Sequence, residues 1–250
     1  WSSARAPGGR LAERCRGGHP AGMRNVLTGG TGESPVVDAA TVVLLRELDA
    51  GLECLMLRKT AGQTFGGMWV FPGGRFEPGD GEGMDGARRA TVREVVEETG
   101  LVIDGGDLVP LSHWVPPPAA ARRFATWFFL APLPEGASDV VIDGGEIGDQ
   151  MWTTAATALD RHRAGEVDLV PPTWMTLNWL AGRSSLADAL AAAAALPDVM
   201  RYETHIHDDA GVLVSSWAPD AAYESGDLAA DGPRHRLYMA PGGWRFEQRG

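Results

Sequence analysis

The spacing of apolar positions divides the chain into short runs of differing period. VVDAATVVLLREL (36–48) and LECLMLRK (52–59) are apolar runs on either side of a short Asp-Ala-Gly turn, which predicts a hairpin. MWVFPGG (68–74) predicts a short strand broken by Pro-Gly-Gly, and 75–85 reads as loop. Over 86–99 the pattern becomes helical, with Gly100 as the expected stop. LVIDGGDLVPLSHWV predicts short strands, PPPAAARR a loop and FATWFFLAPL a buried strand. A short element begins at Gln150 and a helix follows over 155–164. PPTWMTLNWLAG and SLADALAAAAAL read as two further helices, and RYETHIHDDAGVLVSSW and RHRLYMAPGGWRFEQ as strands of a small terminal sheet. Strands mixed with helices in this order predict an α/β fold, a layered α/β/α domain with a helical and β C-terminal extension.

Residues 1–33 show no apolar period and are rich in Gly, Arg, Ala and Ser. They read as a disordered or appended tail, with Met23 a candidate start. With 44% hydrophobic residues among 250, the chain has enough apolar material for a proper core. Its net charge of -11 argues against nucleic-acid or anionic-membrane partners, which require basic surface. No apolar stretch reaches the ~20 residues that span a bilayer. Cys15 and Cys54 sit in a tail-like segment and an apolar run, so a disulfide framework is not expected and a reducing, cytoplasmic setting is. Lys59 is the only lysine, so arginine carries nearly all the positive charge.

The chemistry centres on REVVEETGL (93–101). On a helix Glu94, Glu97 and Glu98 stand at i, i+3 and i+4 and converge on one patch, where like charges repel by roughly 0.2–0.5 kcal/mol per i,i+4 pair. Converging carboxylates are the donors a hard divalent cation requires. Arg93, four residues before Glu97, can orient that carboxylate. Upstream, WVFPGG runs a strand into Gly73 and Gly74, where a bare backbone can approach a metal.

This combination resembles the Nudix hydrolase family, whose signature runs Gly, five residues, Glu, seven residues, then Arg-Glu-apolar-any-Glu-Glu-any-Gly-apolar. The second half matches fully from Arg93 to Leu101. The first half departs: five residues separate Gly74 from Asp80, where Glu is expected, and twelve residues instead of seven separate Asp80 from Arg93. Counting back from Arg93 gives Asp85 and Gly79 at the family spacing. The first register, with a five-residue loop insertion within GDGEGMDGA, keeps the Pro-Gly-Gly turn in place and is preferred; Asp80, Glu82 and Asp85 all remain candidates for the first acidic position. An interrupted signature is similar to the branch that includes a peroxisomal coenzyme A diphosphatase, and the resemblance covers roughly 36–180. It implies a Nudix-type α/β/α sandwich with a mixed sheet over 34–180, and an extension over 181–250 packed on the same domain.

The resemblance further implies Mg²⁺ or Mn²⁺ and a nucleoside diphosphate linked to another moiety (CoA or acyl-CoA, ADP-ribose or NADH-like compounds). Gly73, Glu94, Glu97 and Glu98 would be metal ligands. Arg93 completes the catalytic set with Glu146 as candidate base, and Asp149 stands behind it. Arg58, Lys59, Arg122 and Arg123 are candidate phosphate contacts, and Trp114 or Trp69 could stack on a base. A catalytically silent nucleotide-sensing or partner-binding module is the rival reading, which three intact glutamates oppose; RNA decapping is disfavoured by the acidic charge. A homodimer is left open. His205 and His207 alternate on one strand without a third ligand, and MAPGGWRFEQ echoes the earlier Pro-Gly-Gly as a hairpin turn.

Overall fold

A computed structural model describes residues 20–250 apart from Glu33, Ala50, Gln63, Ser138 and Asp143. Its main sheet is mixed, and two long apolar strands form its middle. Strand β1 (Val36–Leu48) runs parallel to β6 (Arg123–Pro132), from Val36 opposite Arg123 to Leu45 opposite Pro132. Both are covered on both faces, which explains their unbroken apolar runs. Val43, Leu45, Phe128 and Leu130 enter one core, whereas Val42, Leu44, Phe129 and Ala131 enter the other. β2 (Gly51–Lys59) forms the expected hairpin with β1 and divides its side chains likewise. β5 (Val109–Val115) flanks β6, and β7 (Ile147–Thr154) flanks β2.

The hairpin is zipped only near its turn, through Leu45↔Cys54 to Leu48↔Gly51. Beyond that the two strands part, and the MWVFPGG segment fills the gap. Its first piece, β3 (Trp69–Val70), pairs with β2, and its second, β4 (Gly73–Arg75), pairs with β1. Between them Pro72 offers its carbonyl to the Val42 amide at 3.0 Å and the Thr41 hydroxyl at 2.7 Å. Gly73 has φ 150° and lies so close to β1 that a Cβ would overlap the Ala40 carbonyl. Glycine is required here on both grounds.

Helix α2 (Gly83–Thr99) covers one face, with Ala87, Ala90 and Val95 in the core, and ends on left-handed Gly100, as expected. The other face is covered by α3 (Ala155–Arg163), α4 (Pro171–Leu180) and α5 (Leu186–Ala194). The C-terminal extension is tied in directly. Its β8 (Met200–Glu203) joins the main sheet parallel to β5. A second antiparallel sheet follows, made of β9 (His205–Asp209), β10 (Val212–Ser216), β11 (Arg234–Ala240) and β12 (Gly243–Arg249). The Pro-Gly-Gly echo forms the β11–β12 turn.

Two expectations are corrected. The segment 1–33 is not wholly a tail: α1 (Pro20–Thr28) is helical and buries Met23 and Leu27 in the main core. These side chains stand at i and i+4 on one face, a pattern too brief to register as periodic. Residues 1–19, with Cys15, lie outside the described residues. The extra residues before the acidic helix are only partly loop, because α2 begins at Gly83 and takes up those from there on, while Gly81 and Glu82 precede it. Among the described residues, no helix is long and apolar enough to cross a membrane.

Candidate active site

A cavity of about 650 Å³ lies where β1, the Pro-Gly-Gly break and α2 meet. Its charged end is built by α2, β4 and the end of β2: Glu94, Glu97 and Glu98 line it, with Arg93, Gly73, Gly74 and Lys59, and Glu146 joins them from the loop before β7. Glu94 comes so close to β4 that a Cβ on Gly74 would overlap its carboxylate. The second glycine of the Pro-Gly-Gly break therefore makes room for an acidic side chain.

Two cations hold the acidic face together. Arg93 donates to Asp80 at 2.9 Å, Glu94 at 2.8 Å and Glu97 at 3.1 Å, and to the Arg75 carbonyl at 3.0 Å. Lys59 donates to Glu98 at 2.6 Å and reaches Glu146 at 3.4 Å. Glu98 also accepts the Gly73 amide at 2.9 Å. Burial raises the Glu98 carboxyl above its ordinary range, and Lys59 and the Gly73 amide only partly offset this. Burial likewise raises Glu94 against the pull of Arg93. For Lys59 burial works downward, but Glu98 and Glu146 hold its ammonium above the usual value. Asp80 is pushed up by burial and brought below its usual value by Arg93 and the Glu77 amide.

The structure also bears on the register of the first half of the motif. Asp80 is buried and paired with Arg93, whereas Glu82 and Asp85 are exposed at the start of α2. Asp80 therefore holds the position beside the arginine, and its separation of twelve residues is spanned by a longer helix. The fold splits both basic pairs. Lys59 and Arg122 line the cavity, while Arg58 and Arg123 do not, and the Arg123 guanidinium reaches the Ser34 carbonyl at 3.5 Å. Asp149 is likewise outside, exposed on β7 with its carboxylate on the Gln150 amide.

Trp114 lines the cavity as a fixed wall, stacked on Tyr202 at 3.9 Å, and Trp69 lies in the core. His205 and His207 are engaged by the Tyr223 carbonyl and the Ser216 hydroxyl. The sequence reading missed Val26, Leu27 and Thr204, lining residues from outside the central domain. No motif marks them, since each is an ordinary residue brought in by tertiary packing.

Among the described residues, no three His, Cys, Asp or Glu side chains surround a common point as a preformed metal cage. The donor set nonetheless has the chemistry of a hard-cation site: carboxylate oxygens on one helical face, two of them desolvated. Glu97 and Glu146 are more than half exposed and can re-aim.

The NUDIX domain family model matches residues 36–172, more than half of the chain. No curated protein matches the sequence. A NUDIX hydrolase from Alicyclobacillus acidocaldarius is 23% identical and superposes with a TM-score of 0.59, over 64% of this chain and 97% of its own. That likeness concerns the fold. The NUDIX domain of Shewanella oneidensis NrtR, solved with ADP ribose, superposes loosely, with 18% identity and a TM-score of 0.46 over 58% of this chain and 86% of that one. With the family match covering strands β1 to β7, the Pro-Gly-Gly break and the acidic helix alike, the chain belongs to the NUDIX family.

Proposed function

We propose that this protein is a divalent-metal-dependent diphosphatase. It cleaves a nucleoside diphosphate linked to another moiety, CoA or acyl-CoA, or an ADP-ribose or NADH-like compound, in a cytoplasmic setting. The observation that carries this reading is the opening of Glu94, Glu97 and Glu98 onto one cavity beside Lys59 and Arg93. The long separation between Gly74 and Arg93 favours the interrupted branch of the family.

In this reading Glu94, Glu97, Glu98 and the Gly73 carbonyl hold Mg²⁺ or Mn²⁺, which when bound supplies charge neutralisation of the diphosphate and a more acidic water. The remaining roles belong to the chain itself. Arg93, fixed by Asp80, aims Glu94 and Glu97. Lys59 and Arg122 offer positive charge to the phosphates. Glu146, held near Lys59, accepts a proton from the attacking water. Its place on the loop before β7, sharing Lys59 with Glu98, brings it to the glutamates from a separate element.

The test is a screen of CoA, acyl-CoA, ADP-ribose, NADH and nucleoside triphosphates, each with Mg²⁺, with Mn²⁺ and with EDTA. Metal-dependent release of two phosphate monoesters from at least one linked diphosphate is expected. Absence of turnover across the panel would refute the proposal.

A further inference from the structure

We propose that helix α1, which precedes the family-matched segment, is part of the substrate site: Val26 and Leu27 close the far half of the cavity and select a substrate whose group beyond the diphosphate is apolar. This inference rests on the diphosphatase reading for the identity of the charged half.

The cavity is divided by chemistry. The glutamates, Lys59 and Arg93 occupy one end; away from them Arg122, held on Thr64, is the charged side chain, and the lining otherwise turns to carbon, with Val26, Leu27, Phe65, Pro117, Phe124 and Pro171. The polar atoms there are largely engaged within the protein. Trp114 Nε1 donates to Ser112 Oγ at 3.0 Å, and Thr204 Oγ1 accepts Trp217 Nε1 at 3.0 Å. Thr126 Oγ1 donates to the Phe124 carbonyl at 3.1 Å, and Thr64 Oγ1 accepts from Arg122 at 2.8 Å. Prolines have no amide to offer. A nucleobase or sugar buried here would leave its own polar groups unpaired, at a cost that disfavours binding. An apolar chain or ring incurs no such cost. Phe65 adds a second sign, because its φ of 62° is unusual for a bulky residue and its ring faces Phe124 at 6.2 Å.

α1 is held as a wall. Its Val26 carbonyl accepts the Ala121 amide at 3.2 Å, and the Gly30 amide donates to the Ala119 carbonyl at 2.9 Å. At Gly30 a Cβ would overlap the Ala120 carbonyl, so the chain after α1 lies directly on the loop between β5 and β6. From its other side Arg24 binds Asp208 at 2.8 Å and the Gly211 carbonyl at 3.0 Å. The helix thus bridges the cavity loop and the C-terminal sheet.

The experiment uses the full chain with Mg²⁺ and a series of adenosine diphosphate mono-n-alkyl esters carrying one, four, eight or twelve carbons. Methylene-bridged analogues are titrated calorimetrically, which reads binding without turnover. Affinity is expected to rise by about fourfold per buried methylene until the chamber is full, then level off. Val26→Asp is expected to flatten that rise and Val26→Ile to keep it, with circular dichroism and melting checking each fold. If Val26→Asp does not fold, Val26→Ser takes its place and should weaken the rise. Affinity independent of chain length in the unaltered protein would overturn the inference, and so would a rise that Val26→Asp or Val26→Ser leaves intact. Hydrolysis of the oxygen-bridged esters is scored separately. Turnover without a chain-length effect would sink this inference alone, and chain-length-dependent binding without turnover on any substrate would sink the diphosphatase reading alone.

Discussion

Replacing Lys59 by methionine should destabilise the protein by about 3 kcal/mol at pH 7 in EDTA. The ammonium lies 2.6 Å from Glu98, whose side chain is only 5% exposed. Removing one partner of a buried pair costs roughly 3–5 kcal/mol because the other charge is left without compensation. Glu98 has a less costly option, which is to take up a proton. From an ordinary carboxyl value of 4.5, that costs at most about 3.4 kcal/mol at pH 7. The loss should therefore sit near that ceiling, a fall of roughly 6–12 °C in melting temperature for a chain of this length. The same reasoning fixes the sign of the pH dependence. In the variant the folded-state value of Glu98 lies further above its unfolded value, so protonation supports the fold at low pH and that support is lost as pH rises. The deficit against the unaltered protein should shrink from pH 7 to pH 5, and calorimetric melting at the two pH values measures it. A variant that melts within about 2 °C of the parent at pH 7, or a deficit that does not shrink at pH 5, would refute the argument.

Glu97→Gln and Glu98→Gln should each lower turnover by at least ~10²-fold with the circular dichroism spectrum retained, since each removes charge stabilisation from the metal end; near-normal rates in both would contradict the site assignment. Mg²⁺ or Mn²⁺ should raise the melting temperature, by up to about 2.7 kcal/mol of stability at a hundredfold excess over Kd, which scanning fluorimetry in a metal titration reads directly. Asp220→Asn should cost about 3–5 kcal/mol, because it strands Arg236, whose side chain is fully buried against it. Burial pushes Asp220 upward, but Arg236 and the His235 and Ala222 amides hold it down to about 2, below the ordinary 3.8. Its stabilisation is therefore present above pH 4 and should be lost, by about 2–3 kcal/mol, as pH falls towards 2, as acid titration of unfolding would record.

What the sequence made legible follows physical scale. The unbroken runs of β1 and β6 are local patterns that the fold realises, and Glu94, Glu97 and Glu98 line one cavity from a single helix. The start of α2 was not legible because Gly83 and Gly86, both poor helix formers, stand in its first turn. Tertiary packing overrides that propensity: Gly86 and Ala87 are buried, and a Cβ on Gly86 would come within 2.8 Å of the Gly81 carbonyl. α1 was hidden for a related reason, since a nine-residue helix is marginal alone and owes its stability to the core it meets. The division of Arg58 from Lys59 required knowing which face of β2 looked into the cavity, and that of Arg123 from Arg122 required knowing where β6 begins. Composition is silent on that point.

The pairing of β1 with β6 also has a kinetic consequence. Val36 meets Arg123, and Ser112 meets Met200, so the sheet closes through contacts between distant parts of the chain. Contacts of that separation form slowly, because loop-closure entropy is lost before any burial compensates it. The whole cavity needs α1, β1, β2 and α2 in place together. During synthesis the acidic helix will emerge long before β8 and the second sheet. The cavity, which Thr204 also lines, should therefore be complete only in a late step, after the last strand of the main sheet has docked.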